Sequence, residues 1–194
     1  MLNGTTNGSL TGAIVTSNPV SSNTLLPNGL CQQCQFLQWG YWTGQLDIPN
    51  ATGTAVVRTE RAHINTWVAG IPTVTLPPSG VGTFTGNALG TVYNNGASYL
   101  AAGGFTNTYN FGSQTGTVAI SNFDSRTFAG TVQGITSVAA NGQVIHSYMG
   151  ALSGSGLSGR AHGTFFGPGA PETGGSFAVQ SPTYLASGIF VGKR

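Results

Sequence analysis

Thr83-Phe84-Thr85-Gly86-Asn87-Ala88-Leu89-Gly90-Thr91-Val92 is written with a period of two: Phe84, Ala88 and Val92 fall on one face, with Gly86 and Gly90 between them. Such alternation belongs to a strand with one buried face. Glycine inside a strand gives up side-chain packing and costs backbone entropy, so it is kept where the interior is crowded or the strand bends sharply. Small closed barrels impose both conditions. Gly130, Gly163, Gly175 and Gly188 repeat the placement in later runs. Gly104-Phe105-Thr106-Asn107-Thr108-Tyr109-Asn110-Phe111 repeats the alternation, with Phe105, Tyr109 and Phe111 facing one way and Thr106, Thr108 and Asn110 the other.

Outward from these two stretches the texture continues from Cys34 to the C-terminus, in about eleven short runs bounded by Gly, Pro or Asn. They cover 34–42, 55–62, 63–69, 83–92, 104–111, 115–123, 127–135, 143–152, 159–166, 174–180 and 184–192. Some of these runs merge or lie outside the main sheet. Asp124-Ser125-Arg126 is a hairpin-length connection, and Pro72 and Pro77-Pro78 are breakers. Residues 1–30 hold turn formers, with Asn18-Pro19 and Pro27-Asn28-Gly29, and read as an extended arm or linker in which 12–16 could form a lone strand. The expected architecture is all-β: a single antiparallel up-and-down β-barrel of about eight strands over 31–194, preceded by the arm 1–30.

Composition agrees. Gly takes 31 of 194 positions and charged residues only 5%, which excludes a helix bundle and a coiled coil. Six Lys+Arg against four Asp+Glu give a formal charge of +2 without a cluster, so nothing suggests a surface that tracks nucleic-acid phosphates. No apolar run is long enough for a transmembrane helix. The start, Met1-Leu2-Asn3-Gly4-Thr5-Thr6, lacks the basic and apolar regions of a signal peptide and is expected of a mature fragment or a module of a longer chain.

Gly163-Thr164-Phe165-Phe166-Gly167-Pro168-Gly169-Ala170-Pro171-Glu172-Thr173-Gly174-Gly175-Ser176-Phe177, followed by Tyr184-Leu185-Ala186-Ser187-Gly188-Ile189-Phe190-Val191-Gly192-Lys193-Arg194, resembles the closing hairpin of the β-barrel domain in transferrin-binding protein B-like proteins. Phe105 to Phe111 with Gly112-Ser113-Gln114-Thr115-Gly116-Thr117-Val118, and Phe128-Ala129-Gly130-Thr131-Val132, look like central hairpins of the same family. The resemblance covers roughly 34–194 and is most specific at the C-terminal motif. It implies a rigid barrel that binds partners on loops and barrel ends, at a bacterial cell surface associated with the outer membrane, or secreted. The chain departs from the best-known members in lacking an anchoring Cys at its start, a second lobe and charged loops. A specific transferrin function is therefore not expected of it.

Residues able to do chemistry are few. Cys31-Gln32-Gln33-Cys34 precedes an aromatic strand rather than opening a helix, so a local disulfide in an oxidising compartment is the expected state, with free thiols the alternative. No second ligand pair completes a zinc site, and no metal is expected. His63, His146 and His162 are far apart; since barrel relatives bind haem, they are the candidate axial ligands should this barrel carry it. Asp47, Glu60, Asp124 and Glu172 are the only carboxylates, with Asp124 in a turn and Glu172 at a hairpin tip, which argues against an enzyme. Arg58, Glu60 and Arg61 read as a surface charge cluster. Trp39, Tyr41, Trp42 and Trp67 are either core or an aromatic platform for a glycan or apolar partner. The expectation is a non-enzymatic extracellular or cell-surface binding module for a protein or other surface ligand. The alternatives are a small-ligand carrier using the barrel mouth, and a structural subunit that self-assembles by donating a strand from the arm.

Overall fold

The computed structural model describes residues 9–16, 30–31 and 33–194; within 9–16, 41–48 and 58–65 it describes the backbone. The described elements are eleven strands. Three form one sheet in the order β1 (Ser9–Thr16), β2 (Leu37–Pro49), β3 (Val56–Gly70). The other eight close a barrel: β4 (Val81–Asn94), β5 (Ala97–Asn110), β6 (Thr115–Phe123), β7 (Arg126–Val138), β8 (Val144–Gly154), β9 (Leu157–Phe166), β10 (Glu172–Ser181) and β11 (Tyr184–Lys193). Each barrel strand pairs antiparallel with its sequence neighbour, and β11 returns to β4 to close the seam. The eight-stranded up-and-down barrel expected from the alternation is the observed one, over a narrower span of chain.

The runs 55–62 and 63–69 are one strand, β3, because β2 pairs along both of them. Opposite Trp42 and Thr43 of its partner β2, β3 carries one extra residue, Ile64, and the register shifts there. These two strands stand outside the barrel. The strand expected at 12–16 exists as β1 and pairs with β2 of the same chain, Gly12 opposite Gly44. The rest of the expected arm, apart from Leu30, lies outside the described residues.

The barrel has two unlike ends. At one, β4–β5, β6–β7, β8–β9 and β10–β11 are joined by two-residue turns at Asn95-Gly96, Asp124-Ser125, Ser155-Gly156 and Pro182-Thr183. In the first three turns both residues have positive φ, from 48° at Asn95 to 86° at Gly96, the type I′ geometry that matches strand twist. The other end carries the longer segments 71–80, 111–114, 139–143 and 167–171.

The interior is solid. Phe84, Tyr109, Phe111, Tyr148 and Phe165 pack toward the long-loop end, with Tyr109 and Phe165 rings 4.9 Å apart and Tyr148 and Phe165 5.1 Å apart. Phe105 and Phe190 stack at 4.3 Å, and Phe123, Phe128 and Phe177 fill the tight-turn end. Rings fit because inward positions alternate large with small, and glycines face each other across strand pairs: Gly86 and Gly192, Gly90 and Gly188, Gly163 and Gly175. A Cβ on Gly163 would run into the Tyr148 ring, and one on Gly175 into the His162 carbonyl. The in-strand glycines are thus required by closeness of approach.

Candidate interaction surface

A second apolar cluster lies on the outside of the barrel, where Leu89, Ile189 and Val191 project from β4 and β11. Leu30, Leu37, Trp39 and Phe166 bury them, with Cys31, Cys34, Phe36 and Val68 packed around the edge. The β2–β3 sheet is therefore docked on the barrel flank beside its seam. Trp39 is only 2% exposed and belongs to this core. Trp67 is half-buried, with an indole N–H that meets no acceptor. The side chains of Tyr41 and Trp42 lie outside the described residues.

Polar contacts fix the junction. Cys31 and Cys34 are joined by a disulfide with Cα atoms 5.6 Å apart. Glu172, placed at a hairpin tip by the sequence reading, is instead the first residue of β10 and fully buried. Its carboxylate accepts from the backbone N–H groups of Gln35 at 2.5 Å, Phe36 at 2.9 Å and Leu37 at 3.0 Å. Three donors satisfy the charge that burial takes from water. Lys193 Nζ donates to the Gln33 carbonyl at 2.9 Å, and Asn87 Nδ2 to the Leu30 carbonyl at 3.2 Å. After β3 the chain stays pinned: Ile71 N–H donates to Phe36, Gly167 N–H to Ile71 and Thr73 N–H to Phe165, each at 2.9 Å. Thr73 Oγ1 donates to the Gly167 carbonyl at 2.7 Å.

Both barrel ends are stoppered. At the long-loop end Arg194 donates from Nε to the Ala170 carbonyl at 2.9 Å and lies 5.2 Å from the Phe111 ring centre. At the tight-turn end Arg126 sits 4.0 Å over the Tyr184 ring and pairs with Asp124 at 2.6 Å, while Tyr99 donates to Asp124 at 3.0 Å. Burial, reinforced by the Asp124 charge, pushes the Tyr184 phenol up to about 12. Burial also raises Tyr109 and Tyr148, the latter opposed by its 2.8 Å hydrogen bond with Thr173.

Two of the candidate haem ligands have described side chains, and they lie apart. His146 is on β8 at the long-loop end, with Nδ1 3.3 Å from Thr136 Oγ1 and Nε2 3.1 Å from the Val74 carbonyl. His162 is on the outer face of β9, exposed. The His63 side chain, like those of Arg58, Glu60 and Arg61, lies outside the described residues. The aromatic core contains no histidine among the described residues, and no three potential metal ligands cluster among them.

What the structure gathers, unforeseen in sequence, is exposed aliphatic surface at the long-loop end. Ile71 is 64% exposed, Val74 62%, Val81 61% and Val138 67%, while Ile135 faces outward on the flank of β7. The His146 contact to Val74 ties the 71–80 segment to the projecting β7–β8 hairpin, where Val138 pairs with Val144. No single run showed this, because the residues come from three parts of the chain, the 71–80 segment, β4 and β7, that share one end only when the barrel closes.

No family model matches the chain, and no curated protein does. Solved structures do resemble it. A surface lipoprotein aligns over 84% of this chain and 77% of its own, with 14% identity and a TM-score of 0.51. A double variant of transferrin-binding protein B from Haemophilus parasuis Hp5 aligns over 96% of this chain but 37% of its own, with 17% identity and a TM-score of 0.57. The isotype 1 transferrin-binding protein B of serogroup B Neisseria meningitidis aligns over 84% of this chain and 32% of its own, with 15% identity and a TM-score of 0.51. The chain thus spans about a third of the length of the two transferrin-binding proteins. In fold, this protein is a barrel of the transferrin-binding protein B-like type.

Proposed function

We propose that this protein is a non-enzymatic binding module of a bacterial cell surface, and that its partner is a protein docking on the aliphatic rim of the long-loop end. The observation that carries the reading is the contrast between a filled, doubly stoppered interior and exposed Ile71, Val74, Val81 and Val138 at the long-loop end. A solid barrel offers no room for a small ligand, so its recognition surface is outside. Branched aliphatic side chains carry little rotamer entropy to lose, and each one removed from water contributes roughly 1.5 kcal/mol or more. The fold neighbours support the class: their names describe a surface lipoprotein and transferrin-binding proteins.

Blood plasma passed over the immobilised protein tests this. We expect a protein species held saturably by the wild type, lost by the Val74→Asp/Val138→Asp double variant and retained by Ser98→Asp at the other end. Equal retention by the double variant, or nothing held saturably, would overturn the proposal.

A further inference from the structure

We propose a second, separate binding surface, for an acidic saccharide, on the outer face of β9, β10, β11 and β4 at the tight-turn end. Two depressions adjoin there, of about 430 and 360 Å³, sharing Gln180 and Leu185. Arg160 lines the first, Tyr93 and Asn95 the second. The register aligns them: Tyr93 is opposite Leu185, Leu185 opposite Gln180, and Arg160 opposite Ala178 one row along. Four adjacent strands span about 14 Å between the outer two, long enough for more than one sugar ring.

The chemistry selects the ligand class. Tyr93 is 52% and Leu185 49% exposed, so an aromatic face and an aliphatic one lie open side by side. The side chains of Arg160, Gln180 and Asn95 make no hydrogen bond or ion pair with the described residues. Neither depression contains a carboxylate to neutralise Arg160. Shallow and open, with polar side chains beside the apolar faces of Tyr93 and Leu185, the surface cannot enclose an apolar small molecule. A single cation cannot track nucleic-acid phosphates. A sugar fits each feature: its C–H face stacks on Tyr93, its hydroxyls exchange hydrogen bonds with the Gln180 and Asn95 amides, and a uronate carboxylate takes the Arg160 guanidinium through paired N–H donors.

The test is binding of the intact protein to a panel of uronate-containing and neutral oligosaccharides, followed by calorimetric titration of the strongest. Saturable binding of uronates is expected, weakened at least about tenfold by Tyr93→Ala, while Arg160→Gln brings uronate affinity down to that of the matched neutral sugar. Both side chains are exposed, so neither change threatens the fold, and unchanged thermal midpoints verify this. Absence of binding to every uronate would overturn the proposal, as would binding that both variants keep. The Val74→Asp/Val138→Asp variant should bind sugar normally, which separates failure here from failure of the rim.

Discussion

Glu172 joins the two halves of the molecule through one side chain. A fully buried carboxylate holding three backbone N–H groups of residues 35–37 depends on its charge and on both oxygens. Glu172→Gln keeps the shape but turns one acceptor into a donor facing another donor. The expected loss is about 2–3 kcal/mol, read from urea unfolding, whereas a surface change such as Thr131→Gln should cost almost nothing. In sequence, Gly167-Pro168-Gly169-Ala170-Pro171 is legible as a turn, but the carboxylate that follows has partners more than 130 residues away, which no local pattern reveals. Tyr184 supplies a test by pH. Its folded phenol is raised to about 12 from 10.0, so its contribution is fully present below pH 10 and is lost as pH rises toward 12, where the unfolded chain ionises and the folded one resists. The buried Tyr109 and Tyr148 push in the same direction. Stability should therefore fall between about pH 10 and pH 12, and Tyr184→Phe, which keeps the ring under Arg126, should make that fall shallower.

Strands are where the sequence spoke most clearly. The faces of β4 and β5 follow directly from the alternation around Phe84 and Tyr109, because a period of two has one structural meaning once helices are excluded by composition. The glycines announced crowding but not its cause. Gly175 is opposite Gly163, with the His162 carbonyl where its Cβ would be, and that pairing depends on register set across β9 and β10. Gly175→Ala must displace backbone, and we expect it to cost about 1–3 kcal/mol or more or to prevent folding. Gly112, in the 111–114 connection, has only ordinary contacts at 3.4 Å and beyond, so Gly112→Ala should leave the thermal midpoint nearly unchanged. Loss at both positions, or at neither, would contradict the close-approach explanation. The boundary misplaced between 62 and 63 has a comparable cause: β3 continues because β2 pairs along it, not because of anything at those two residues.

At the scale of the whole molecule, the β2–β3 sheet is a cover for the barrel flank. Leu89, Ile189 and Val191 face outward, and in the intact protein Leu37, Trp39 and Val68 keep them dry. A chain of residues 81–194 alone should expose this strip, bind apolar-surface dyes and unfold at lower temperature than the full chain; equal dye binding and stability would show the cover to be dispensable. Trp39 was legible as an aromatic strand residue, yet whether it met core or ligand depended on where the barrel closed, as did the gathering of Ile71, Val74 and Val138 at one rim. The central claim is that this barrel is a solid support whose recognition surfaces are external. Titration with haemin, followed by the Soret band and the thermal midpoint, tests it most directly. The filled interior predicts no saturable Soret shift and no gain in stability; a saturable one-to-one shift with a raised midpoint, abolished by His146→Ala, would contradict it.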